Sequence, residues 1–234
     1  MRLFALGLLA GCGSTLQLMG AATLEPRQTE FSVAASGGAG FSPLFAGSTG
    51  PSIPAINFAY RRGLKPDVDF GLRFGTGGIG TDVRYRFFRQ GHWHLATGAG
   101  LLLSPDINPI TGGAAFHFDL RAPLLAEYDI TPGWSIAAGP SVLMRTQTGA
   151  SGLTGGLYQR ADLLGTFHLR TELRPRGDRH GFAFVIGAEI IDMPLRTAPI
   201  GWELGAQLVW RNNPWVGALR HGVDKGEKTP REPK

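Results

Sequence analysis

Three observations predict an all-β protein, a closed antiparallel up-and-down barrel. The 35 glycines and 16 prolines among 234 residues are too many for a helical protein. No long window repeats apolar residues at helical spacing. From Glu30 onward, segments of alternating polarity recur, each separated from the next by turn residues.

Taken in order, the alternation predicts about ten strands, with eight and twelve as the neighbouring even counts. They fall near residues 29–36, 54–61, 68–75, 80–88, 92–103, 114–130, 134–146, 157–173, 181–191 and 201–210. The sixth is the longest: Phe116, Phe118, Leu120, Ala122, Leu124, Ala126, Tyr128 and Ile130 share one face, while His117, Asp119, Arg121, Glu127 and Asp129 share the other. Few soluble strands hold one register that far. Connections alternate in length: "LKPD", "RQG" and "TPG" are tight, whereas "GGAGFSPLFAGSTGPS" and "TGASGLTGG" are long and rich in Gly, Pro and Ser. "TGGI" is a short exception and "RPRGDRHG" a long one. In the third and fourth strands a Gly77-Gly78 turn of type I′ predicts pairing of Arg73 with Asp82 and of Asp69 with Arg86.

What the faces contain decides which one meets a membrane. The charged set holds Asp69, Arg73, Asp82, Arg84, Arg86, Asp119, Arg121, Arg145, Arg160, Asp162, Arg170, Glu189 and Glu203. An arginine at bilayer mid-depth on a lipid-facing strand costs about 2–4 kcal/mol, so this face points inward. Tyr60, Trp93, Tyr128, Trp134 and Trp210 point outward at one set of strand ends, and Trp202 outward at the other end, as amphipathic rings do at a membrane boundary. The nine residues Trp202 to Trp210 match the roughly 9–11 a tilted transmembrane strand needs. After the leader, the longest apolar runs, such as Leu95 to Leu103, are far short of the roughly 20 residues of a membrane helix, and mean hydropathy is only −0.01. Membrane contact therefore comes from alternation. Glu203 to Trp210 is similar to the β-signal of bacterial outer-membrane proteins, polar-x-Gly-x-x-hydrophobic-x-aromatic. The resemblance implies the outer membrane, outer-membrane lipids as surroundings and recognition by the barrel assembly machinery. One departure is that the chain continues past the aromatic residue.

The start of the chain, "MRLFALGLLAGC", reads as a leader with Arg2 before a short apolar stretch. Leu9-Ala10-Gly11-Cys12 resembles the bacterial lipobox, which implies cleavage before Cys12, acylation of that residue with palmitate among its acyl groups, and a lipoprotein. The alternative is an ordinary secretory leader cut after Ala22, where Gly20 and Ala22 are small. Cys12 is the sole cysteine, so no disulfide or thiolate metal site is expected. The expected organisation is a leader over 1–11, a periplasmic linker over 12–28, a barrel over 29–210 and a flexible basic periplasmic tail over 211–234. The tail holds six basic and three acidic residues, about half of the net charge of +5. It lacks a stacking platform or basic reading helix, so nucleic acid is not an expected partner, and a cell-wall or periplasmic polymer is the partner its charge suggests.

Ten strands leave a narrow bore. His117, Asp119, Arg145, Arg160, Asp162, Glu189 and Glu203 are expected to gather in its outer half. Glu189 and Glu203, facing each other across one hairpin, have the makings of a hydrolytic carboxylate pair. The plainer reading is acids neutralised by Arg145 and Arg160. His92 and His94, alternate residues on one face, lack an evident third ligand, so no metal is expected. No cofactor is expected and no catalytic residue is assigned. Omptin proteases carry acid and histidine pairs far above the membrane, where these loops are too short to reach; outer-membrane lipid deacylases pair a His with a Ser, and His117-Phe118-Asp119 lacks the serine. The expectation is a structural or interaction protein of the cell envelope with a plugged interior. The alternatives are a narrow solute channel and an outer-rim enzyme acting on lipid or glycan.

Overall fold

The computed structural model describes residues 18–39, 55–76, 78–107, 114–150, 156–175, 181–192 and 201–212. Ten strands follow one another along the chain: β1 (Thr29–Ala39), β2 (Ala55–Lys65), β3 (Val68–Gly75), β4 (Gly78–Gln90), β5 (Trp93–Ile107), β6 (Ala114–Thr131), β7 (Trp134–Ala150), β8 (Leu157–Leu173), β9 (Gly181–Asp192) and β10 (Gly201–Asn212). Each pairs antiparallel with the next, and β1 closes on β10, from Thr29 opposite Asn212 to Ala39 opposite Trp202. Closure removes both sheet edges. No described helix is long and apolar enough to cross a membrane. We call the end where β1 starts and β10 finishes the terminal end, and the other the loop end.

Alternation is the reason for the fold, and it runs inside out. Phe31, Leu204, Leu208 and Trp210 are 53%, 54%, 47% and 69% exposed, whereas Asp69 and Glu189 are fully buried in the bore. Aromatic rings collect outward at the terminal end. The Trp93 and Tyr128 ring centroids lie 4.8 Å apart, the Phe31 and Tyr60 centroids 6.3 Å apart, and Trp134 Nε1 donates to Thr171 Oγ1 at 2.7 Å. Trp202 is outward at the loop end.

One register and one boundary differ from expectation. The β3–β4 hairpin pairs Asp69 with Arg84, Gly71 with Asp82 and Arg73 with Gly80, two residues away from the predicted pairing. The reason is ionic: Arg84 Nε and Nη2 reach the two oxygens of Asp69 at 3.0 and 2.6 Å, a bidentate contact across the strands. Gly78, at φ +112°, takes up the turn geometry that this register requires. The tail also starts later than expected, because Arg211 and Asn212 complete β10.

The larger difference concerns residues 18–28. Expected as a linker beside the barrel, they run inside it. Arg27 N donates to Gly63 O at 3.0 Å and Gly63 N to Gln28 O at 2.9 Å, so the chain enters the terminal end along β2. Gly63 is required there, since a Cβ would strike the Glu25 carbonyl. From Leu24 back to Leu18 the chain crosses the bore, with Met19, Ala21 and Leu24 at 7%, 0% and 4% exposure. Met19 and Ala21 join Ala96 and Leu125 in one buried cluster, and Leu18 packs on Ala183, Val185 and Val209. This internal strap, together with charged side chains, fills the bore.

Candidate functional site

The site is the bore itself, because strand alternation turns the polar side chains of all ten strands toward it. Its terminal half is an ionic network. Glu172 of β8 accepts from Arg174 Nε at 2.8 Å, from Arg211 Nη1 at 2.5 Å and from Arg170. Arg211 carries the network to Glu30 of β1 at 2.7 Å, so β8, β10 and β1 are tied together where the barrel closes. Arg174 continues to Asp129 at 3.4 Å, and Asp129 to His94 Nε2 at 3.1 Å. A second network joins β2, β3 and β4: Arg61 donates to Asp69 at 2.6 Å and to Asp82 at 2.5 Å. Buried ions in such numbers persist because Glu172, Asp69 and Asp82 each accept direct hydrogen bonds from a guanidinium.

The strap is threaded between these networks. Asp69 Oδ2 accepts from Leu24 N at 3.0 Å, Glu127 Oε2 from Ala22 N at 2.9 Å. Arg84 Nη1 donates to Gly20 O at 2.6 Å and Arg170 Nη1 to Leu18 O at 3.0 Å, and His168 Nε2 lies 2.9 Å from Met19 O. The polar backbone of an extended segment, which a bore lacking water would leave unsatisfied, is thus met by wall side chains.

Six of the seven residues expected to gather in the outer half of the bore can be placed there. Arg145 grips Asp119 with two bonds of 2.8 and 2.7 Å. Asp162 is the cross-strand partner of Arg145. Glu189 and Glu203 do face each other across the β9–β10 hairpin. The cation on Glu189, however, is Arg121 at 2.7 Å, where Arg145 or Arg160 was expected. Arg121 sits lower on β6, opposite Gly100, which leaves it room to extend across the bore. The Arg160 side chain, Cys12, His180 and His221 lie outside the described residues. His117 is buried opposite Ser104, but the Ser104 hydroxyl donates to the carbonyl of Pro105 at 3.5 Å. The expected inward pair of His92 and His94 is broken: His92 is exposed in the β4–β5 turn, its ring 5.9 Å from that of Tyr128, because β5 begins only at Trp93. No cluster of three or more metal-ligating side chains occurs among the described residues.

Arg61, Glu172 and Arg174 were missing from the expected inward set. Arg61 was legible, since it alternates with the outward Tyr60. A cavity of about 100 Å³ remains between the strap and the wall of β10, β1 and β2. Ser32, Ser36, Asn57 and Gln207 line it, and Gln207 Nε2 donates to Ser32 Oγ at 2.6 Å.

No protein-family model and no curated protein matches the sequence. Among solved structures, the chain is similar to Ail, the attachment invasion locus protein of Yersinia pestis, in complex with the heparin analogue sucrose octasulfate: 8% identity, TM-score 0.46, 80% of this chain and 99% of that one. It is similar to the translocator domain of the autotransporter NalP from Neisseria meningitidis, at 10% identity and TM-score 0.45, covering 81% and 90%. A third is Neisserial surface protein A, at 10% identity and TM-score 0.41, covering 78% and 96%. The barrel assignment itself rests on the closed strand pairing.

Proposed function

We propose that the protein is an outer-membrane barrel with a structural or interaction role in the cell envelope, its bore closed by its own N-terminal strap. The observation that supports this is the inside-out burial: apolar and aromatic side chains are exposed around the circumference while the ion pairs are buried. Exposed apolar surface of this extent would drive association in water, whereas acyl chains solvate it. The two-residue turns after β2, β4 and β6 at the terminal end suit the periplasmic side, which supports reading both ends of the barrel chain as periplasmic. In this reading outer-membrane lipids surround the belt, the assembly machinery reads the last strand, Cys12 is acylated, and the basic tail faces a periplasmic or cell-wall polymer.

The test is expression of the full chain in a Gram-negative host, followed by fractionation. Recovery in the outer-membrane fraction with palmitate labelling lost in Cys12→Ala is expected; recovery as a soluble protein overturns the reading. A second reading, a narrow solute channel, is favoured by the cavity along β10, β1 and β2. Planar-bilayer recordings separate the two. The closed reading expects no steady conductance.

A further inference from the structure

The segment Gly20-Ala21-Ala22 is short on side chain, which in a leader suits a signal peptidase and in this barrel has a different cause. A Cβ on Gly20 would come within 2.5 Å of Glu127 Oε2 and 2.7 Å of Arg170 Nη2, so glycine is the residue that passes between these two charged groups. Ala21 is fully buried against Ala96 and Leu125, with room for a methyl group. Around them the wall is already committed to the strap's backbone: Arg170 to Leu18 O, His168 to Met19 O, Arg84 to Gly20 O and Glu127 to Ala22 N.

We infer that residues 18–22 are a permanent part of the mature protein, so that its leader is removed upstream of Leu18 and not after Ala22. Cleavage after Ala22 would remove a partner from each of four wall side chains, all of them 6% exposed or less, leaving Arg84 only Asp69 and Arg170 only Glu172 among the bonds described, and would uncover the inner apolar face at Ala96 and Leu125. An unmet buried polar group is costly, and charged ones more so. The upstream site that the lipobox resemblance implies is the Gly11–Cys12 amide, hydrolysed with one water to leave a carboxylate on Gly11 and an amine on Cys12. This rests on the reading of residues 1–11 as a leader, and it explains the small residues at 20–22 by packing.

The deciding experiment is the intact mass and N-terminal peptide of the full-length gene product purified from membranes. A chain starting at Cys12, with or without lipid, is the expected result. A chain starting at Thr23 overturns the inference, and the acylation of Cys12 with it, while leaving the outer-membrane barrel reading standing. A chain starting at Met1 overturns the inference and the leader reading together, and its mass separates the two failures. Gly20→Leu supplies an independent readout: overpacking against Glu127 and Arg170 should lower the melting temperature by about 3–10 °C. An unchanged melting temperature overturns the strap, because residue 20 would then be absent from the folded protein or free of the wall. The wild-type mass decides the matter whatever the variant does.

Discussion

The two sides of the bore are built differently. On β3 to β6 and β8 the strap is bonded or packed at nearly every residue, through Asp69, Arg84, Ala96, Leu125, Glu127, His168 and Arg170. On β1 and the outer part of β2 the inward residues are short, Ser32, Ala34, Ser36, Asn57 and Ala59, and the cavity lies between them and the long side chains of the opposite wall, Arg84, Glu127 and Arg170 among them. The strap therefore makes most of its hydrogen bonds to one side, touches the other through Leu18 on Val209 and through Gly63, and leaves the residual space mainly along β1 and β2. Whether the barrel is a plug or a channel depends on that asymmetry more than on the charge balance of the interior.

Breaking the adherent side at the carboxylate that ties two wall arginines to the strap backbone should have the largest effect. Asp69 is fully buried and accepts from Arg61, Arg84 and the backbone of Leu24. Asp69→Ala leaves two buried guanidiniums short of a counter-ion, and the cost is expected at about 3–5 kcal/mol. Urea unfolding in micelles at unchanged slope measures it. A loss under 1 kcal/mol would mean that water supports these arginines and that the strap is only loosely held.

The strands and their faces were legible because a period of two, sustained over eight or more residues, has no other cause in a chain this rich in glycine. Glu189 opposite Glu203 followed from the same count, as did the presence of Asp119 and Arg145 on the inner face, though not their pairing with each other. The strap was not legible. It has no alternation, since a segment crossing a bore meets wall on every side, and Gly20-Ala21-Ala22 has the smallness of a protease site. The β3–β4 register failed for a related reason. Shifting a hairpin by two keeps every side chain on its face, so pattern alone leaves the choice to the partner of Asp69. Two arginines on β4, Arg84 and Arg86, could each fill that place. The structure gives Arg84 to Asp69, and Arg86 to Asp67 in the turn at 2.5 Å.

A milder test keeps the charges and changes only volume on the adherent side. Ala21→Leu puts three further carbons into a cluster already closed by Met19, Ala96 and Leu125. Overpacking of this kind is expected to destabilise the barrel by about 1–3 kcal/mol, seen as a lower urea midpoint. A neutral result would place residue 21 outside a packed environment and contradict the adherent side directly.

The smallest expected effect comes from making the same substitution on the open side. Ala34 lies between Ser32 and Ser36 on the inward face of β1, and lines the cavity. Ala34 is half-buried against this cavity, so Ala34→Leu adds the same three carbons toward open volume. It also buries them beside the apolar parts of Leu18, Met19 and Leu24, which line the same cavity. The gain from filling and the loss of rotamer freedom nearly offset each other, and stability is expected within about 1 kcal/mol of wild type, with any change toward greater stability. The contrast with Ala21→Leu is the informative quantity, since identical chemistry should differ in sign or nearly so between the two walls. The same variant narrows the residual path: if bilayer recordings of the wild type show a small leak, Ala34→Leu should reduce it and Ala21→Leu, by displacing the strap, should increase it. Equal destabilisation by both substitutions would mean that the cavity closes around the strap in the membrane, and the two sides would no longer differ.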